Sequence, residues 1–176
     1  MLLLGAVALA LYLGQRLLMR SHPRETEKRS LAAELLGVLL LSLSAPAATI
    51  AILGRLDARG ALVWLLNALF FLGGVLYVKY RVRGVLAHRE FASLSERIAF
   101  AWPVFVYHLL LLLLLATAVV GESLPAMVLV AFTPAVLRAH GLLFHLGRRF
   151  PIKRLGWSEI AHSLLFATLL ILATRV

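Results

Sequence analysis

The sequence predicts an all-α protein, a polytopic transmembrane helical bundle of about six spans, and three observations carry that expectation. Hydrophobic residues make up 62% of the 176 and charged residues 15%, with a mean hydropathy of +0.94. An average soluble domain is roughly 45–50% apolar and about a quarter charged. A water-soluble fold of this length has too little interior to hide so much apolar surface, so the chain is built for lipid. The apolar residues also fall into runs of roughly 18–23, enough at about 1.5 Å per residue to cross ~30 Å of hydrocarbon, with modest tilt for the longer ones. Finally, the basic residues sit in the short gaps between these runs, which is where membrane flanks carry them.

Taken in order, the first run is 1–19. It begins at Met1 with no basic residue ahead of it, and the basic residues Arg16, Arg20 and Arg24 come only near and beyond its end. That charge order is the reverse of a secretory signal peptide and fits an anchor with its N-terminus outside, although a helix starting at residue 1 leaves upstream sequence open. Residues 20–30 form a polar loop broken by Pro23. The second run, 31–53, contains Pro46, where a lost helix hydrogen bond predicts a kink, with Ser42 or Ser44 helping to satisfy the backbone. A tight turn from Gly54 to Gly60 leads into the third run, 61–78, and then a long connection, 79–98. Ser93-Leu94-Ser95-Glu96 reads as a capping box opening the fourth run, 99–120. After a short return the fifth run, 124–145, carries Pro134, and a basic loop, 146–156, leads to the sixth, 157–174. A single domain over residues 1–176 is the natural count, with no internal repeat.

The gaps after runs one, three and five hold thirteen Lys and Arg, whereas the opposite side holds only Arg55, Arg59 and Arg175. This imbalance places loops 20–30, 79–98 and 146–156 in the cytoplasm and both termini outside a bacterial cytoplasmic membrane. The net charge of +10 therefore belongs to membrane flanks. Nucleic acid is not an expected partner, because no binding fold or aromatic-basic platform accompanies the charge. With no cysteine in the chain, disulfides, thiolate metal sites and thiol catalysis are excluded. No Gly-rich phosphate loop, HExxH or close carboxylate pair is present, so no catalytic residue and no metal ligand is assigned. The six histidines are scattered, and His108 in its leucine-rich run reads as bonded to a neighbouring helix rather than as a haem or metal ligand.

Ionisable groups inside spans are costly and need a partner or a task. Glu34, Arg138, Glu159 and His162 all fall toward the cytoplasmic half. Arg138, Leu142 and His145 share one helix face, and Glu159 pairs with His162 at i, i+3. Asn67, Gly74 and Arg81 share a face of the third run. Two readings stand for each. Glu34 and Glu159 either sit at helix N-termini, where the dipole favours acids, or line a cavity. Arg138 is a structural ion-pair member with Glu34 or Glu159, or a ligand group. Asn67 is interhelical glue or a cavity residue. Lys79, Arg81 and Arg83 are inside-positive flank or an anion site. Together these residues sketch a polar cavity lined by Glu34, Asn67, His145, Glu159 and His162, with Lys79, Arg81, Arg83 and Arg138 available to an anionic or lipid head group. Trp64, Tyr77, Tyr80, Trp102 and Trp157 read as an interfacial aromatic belt.

Three segments, RSLAAELLGVLLLSLSAPAA (29–48), NALFFLGGVLYVKYRVRG (67–84) and TPAVLRAHGLLF through LGWSEIAHSLLF (133–166), resemble the YwiC-like family of bacterial membrane proteins, which is similar to the UbiA prenyltransferase superfamily. That resemblance implies a helical bundle of which these would be the last six of nine spans, with a cytosol-facing cavity that holds an isoprenoid diphosphate through magnesium and Asp-rich motifs. Here the third run ends in Tyr77, Lys79, Arg81 and Arg83 instead of acids. Carboxylates hold magnesium, whereas guanidinium and ammonium groups repel it and bind phosphate directly. The residues thus lean away from an enzyme and from any cofactor, toward binding of a membrane lipid, isoprenoid or phosphorylated lipid. The competing expectations are a prenyltransferase completed by upstream helices, a transporter, or a structural subunit of a membrane complex.

Overall fold

The computed structural model describes residues 6, 9–10, 12–14, 36–86, 91 and 93–175. Residues 6, 9–10 and 12–14 are helical, within the first expected span. The rest of that span, the loop 20–30 and Glu34 lie outside the described residues. Five helices are long and apolar enough to cross a membrane: α1 (Leu36–Leu53), α2 (Ala58–Leu86), α3 (Leu94–Val120), α4 (Met127–His145) and α5 (Ile152–Arg175). There is no strand among the described residues. The protein is an all-helical, multi-pass membrane protein, and its contacts divide it into two compact units, Met1–Val75 and Leu76–Val176.

In the first unit, α1 is interrupted by a turn at Leu43, three residues before the buried Pro46. The ring at Pro46 removes the donor to the carbonyl of Ser42. The serines bond other carbonyls ahead of it: Ser42 Oγ donates to Leu39 O at 2.9 Å and Ser44 Oγ to Leu41 O at 3.0 Å. Ser42 Oγ also accepts from Trp64 Nε1 of α2 at 3.0 Å, so this tryptophan has its indole bonded into the protein rather than simply marking the interface. Gly54 closes α1 in a left-handed conformation, φ 71°, with its N–H donating to Ile50 O. Asp57 then caps α2, its Oδ1 accepting from Gly60 N–H at 2.7 Å. Gly60 lies so close to Thr49 that an added Cβ would meet Thr49 Cγ2 at 2.7 Å, which is how the two helices approach each other past the turn.

In the second unit, α4 packs on both α3 and α5. The α3 residues Ala101, Val104, His108, Leu111 and Leu115 recur at three- and four-residue steps and are buried, which is the stripe a helix presents to a partner. On α4, Ala131, Ala135 and Ala139 follow at four-residue steps and let the helices approach closely. Phe132 meets Phe166 of α5 edge to face at 5.0 Å. The opposite faces carry exposed Leu109, Leu110, Leu113, Leu164 and Ile171, the surface that lipid covers.

Several boundaries differ from the sequence expectation. The third span does not stop at residue 78. α2 continues to Leu86, so Lys79, Arg81 and Arg83 are helical and the connection to α3 is much shorter. Lys and Arg are good helix formers and no Pro intervenes, while the carbonyl end of the helix favours cations such as Arg83 in its last turn. α5 likewise starts at Ile152, directly after Pro151, and takes in residues expected in the loop. The expected N-cap forms at Ser93, whose side chain accepts from Glu96 N–H at 3.2 Å. A kink at Ala101, φ −105° and ψ 16°, precedes Pro103 of α3 by two residues. From sequence, kinks are expected near Pro46 and Pro134 but not at Pro103.

Candidate anion-binding site

The basic residues of the second unit converge where the end of α2 meets the loop between α4 and α5. Arg81 on α2 is only 7% exposed. Its guanidinium carbon lies 4.6 Å from the centroid of the Phe150 ring, a stacking contact that holds the planar group in place. One turn further along α2, Gly84 is buried against the loop, and a Cβ there would meet Leu146 Cδ1 at 2.8 Å and Gly147 N at 3.2 Å. Glycine at 84 thus allows the loop to lie directly on the helix. Gly147, at φ 79°, turns the chain after buried Leu146. The loop then delivers Arg148, Arg149 and Phe150 to the side of Arg81.

α5 begins just beyond, and Pro151, Arg154, Leu155 and Ser158 recur along one face of its first two turns. Together with Tyr77, Arg81, His145, Arg148, Arg149 and Phe150 they line a cavity of about 390 Å³. No Asp or Glu is among the lining residues, and the first turn of α5 contains no acid either. The positive end of that helix dipole adds to four guanidinium groups. Ser158 Oγ already donates to Leu155 O at 2.7 Å, which leaves its lone pairs and not its proton toward other groups. Arg81 Nη1 is buried and has no hydrogen-bond partner among the described residues. A buried guanidinium donor left without an acceptor costs free energy, so a site built in this way is suited to an anion.

Arg138 is differently placed. Its Nη1 donates to Glu159 Oε1 at 2.6 Å, with the two side chains 9% and 28% exposed. Its guanidinium carbon also lies 4.5 Å from the centroid of the Tyr77 ring. Tyr77, expected in the interfacial belt, therefore sits between this ion pair and the cavity that it lines. Because Glu159 is engaged by Arg138, the one acid next to Ser158 does not neutralise the cavity arginines.

Of the residues singled out from sequence, Arg81 and His145 line the cavity, whereas Lys79 and Arg83 do not. Arg83 lies with its guanidinium carbon 5.8 Å from the Tyr80 ring. His162 bonds its own helix through Nδ1 to Ser158 O at 2.7 Å. Asn67, in the first unit, donates to Val63 O of its own helix at 2.8 Å, and His108 bonds Val104 O of its own helix rather than a neighbour. Glu34 lies outside the described residues. From sequence, Arg148, Arg149 and Arg154 read only as flanking charge of the basic loop 146–156. Their signal was Phe150-Pro151 set within the basic run, an aromatic ring beside a helix start.

The donor set does not fit magnesium. The lining residues offer no carboxylate, and their guanidinium groups would repel a divalent cation. No group of three or more His, Asp or Glu among the described residues is arranged to hold a metal ion.

Over 149 residues, 85% of its length, the chain is 32% identical to a protein from Bacillus subtilis (strain 168). That relative is the uncharacterised protein YwiC. The chain spans about half the length of this curated relative, 55% of it. No family model matches the chain, and no solved structure matches it at a significant level.

Proposed function

We propose that this YwiC-like protein is a binding protein of UbiA-like architecture. Residues 1–176 would form one integral membrane domain whose arginine-lined cavity, open to the cytoplasmic side of a bacterial inner membrane, takes the anionic head group of a phosphorylated lipid or isoprenoid. The observation that carries this reading is Arg81: an arginine more than nine-tenths buried, with a buried and unpartnered Nη1, in a cavity without a carboxylate. The inside-positive distribution of Lys and Arg supports the cytoplasmic assignment, and the apolar lining residues Tyr77, Phe150 and Leu155 suit the stem that joins a head group to its chains. Magnesium-dependent prenyl transfer is disfavoured by the same lining.

Native mass spectrometry of the protein, purified gently from membranes, tests the reading. A phosphorylated lipid retained by the native protein and lost from Arg81→Gln is the expected result. Equal retention by both proteins would overturn it.

A further inference from the structure

We infer that the cavity selects a terminal phosphate group, a monoester carrying close to two negative charges, over phosphodiester and zwitterionic head groups, and that it does so without a divalent metal. The inference rests on the anion-binding reading above and adds the class of head group.

Charge and donor geometry carry it. Arg81, Arg148, Arg149 and Arg154 line the cavity with no acid among the lining residues. The nearby carboxylate of Glu159 is held by Arg138 at 2.6 Å. An ethanolamine or choline head group would bring its ammonium into this uncompensated positive field, where like charges repel. A phosphodiester avoids that repulsion but presents one negative charge and two free oxygens. A terminal phosphate presents three free oxygens and about −1.5 to −2 charge near neutral pH, and guanidinium forks bind such oxygens in pairs. Arg81 Nη1 has no partner within the described protein, and the stacking of Arg81 on Phe150 at 4.6 Å fixes the plane in which its donors lie. Ser158 is unable to substitute as a donor because its hydroxyl proton is used by Leu155 O. The first turn of α5, free of acids, adds its dipole at the same cavity. Neutralisation that carboxylate-bound magnesium would otherwise supply comes directly from side chains. The volume of about 390 Å³ accommodates a phosphate ester with the first part of its stem.

The protein is reconstituted in phosphatidylcholine nanodiscs containing EDTA and doped in turn with phosphatidate, phosphatidylglycerol or phosphatidylethanolamine. Retained lipid is counted by native mass spectrometry, and glycerol 3-phosphate and inorganic phosphate are titrated by calorimetry. Phosphatidate should be retained about tenfold or more over phosphatidylglycerol, as an additional charge-assisted hydrogen bond requires. Arg81→Gln should abolish that preference. Arg149→Gln and Arg154→Gln, at exposed positions that leave the core intact, should each reduce it. Lys153→Gln, outside the cavity lining, should leave it unchanged. Soluble phosphates that bind as tightly as phosphatidate would support the inference with a soluble ester as the source, whereas phosphatidate alone would support a lipid. Equal retention of phosphatidate and phosphatidylglycerol under these EDTA conditions would overturn the inference and leave anion binding standing. Retention of no anion at all would overturn both.

Discussion

Arg138 and Glu159 lie 21 residues apart in the chain and form an ion pair at 2.6 Å, joining α4 to α5 beside Tyr77. Arg138 is 9% exposed and its Nε has no hydrogen-bond partner among the described residues, so Glu159 is the group that compensates its charge. Removing one member of such a pair leaves a buried charge uncompensated, whereas removing both does not. Glu159→Gln should lower stability by about 3 kcal/mol, read as a fall in the thermal midpoint in detergent. Arg138→Met combined with Glu159→Leu should recover most of the loss. A double variant no more stable than Glu159→Gln alone would show that the pair does something other than neutralise Arg138.

Gly84 controls how the arginine-bearing loop lies on α2. Valine there would collide with Leu146 and with the backbone of Gly147, displacing the segment that holds Arg148 and Arg149. Phosphate-ester binding by Gly84→Val should weaken about tenfold, the effect of roughly 1.4 kcal/mol. Gly141→Ala on α4, where an added Cβ meets nothing within 4 Å, should instead raise stability by about 0.5–1 kcal/mol through helix propensity, read as a higher thermal midpoint. Unaltered binding in Gly84→Val would dissociate the loop from the cavity.

Arg97 ties the start of α3 to the end of α4. Its Nη1 donates to Leu143 O at 2.7 Å and its Nη2 to Phe91 O at 3.2 Å. Lysine keeps the charge but loses the fork. Arg97→Lys should therefore cost about 1–2 kcal/mol, the loss of one charged hydrogen bond to a carbonyl, with hydrogen exchange rising at the C-terminal turn of α4. Equal protection in the two proteins would count against the tie.

The capping serine offers a smaller effect. Ser93→Ala removes the acceptor for Glu96 N–H at 3.2 Å and should destabilise the protein by about 1 kcal/mol. A stability within a few tenths of a kcal/mol of the parent's would mean that water replaces the cap.

Membrane orientation is testable because the chain has no cysteine to give background labelling. In intact cells a membrane-impermeant maleimide should modify Arg55→Cys and leave Lys153→Cys untouched until the membrane is opened. Both positions are exposed. The reverse labelling pattern would invert the proposed topology.

Much of this molecule could be read along the chain because its governing physics is local. Apolar run length follows from bilayer thickness, and the runs from residue 36 onward correspond to five helices. The Ser93 cap follows from a four-residue pattern, and the break ahead of Pro46 follows from a missing donor. Even the need of Arg138 for a carboxylate was legible, as a cost that any charge in a span must meet. Which carboxylate met it was not, since Glu34 and Glu159 satisfied the same rule. The meeting of Arg81 with Arg148, Arg149 and Arg154 was equally hidden. Helical period assigns a residue to a face of its own helix, but the neighbour of that face depends on helix order, rotation and close contacts such as Gly84 on Leu146. The basic residues were written into the chain as membrane flank. Packing at the end of α2 turned four of them into one cavity, because stacking on Phe150 and the turn at Gly147 bring together charges that local sequence rules would hold apart.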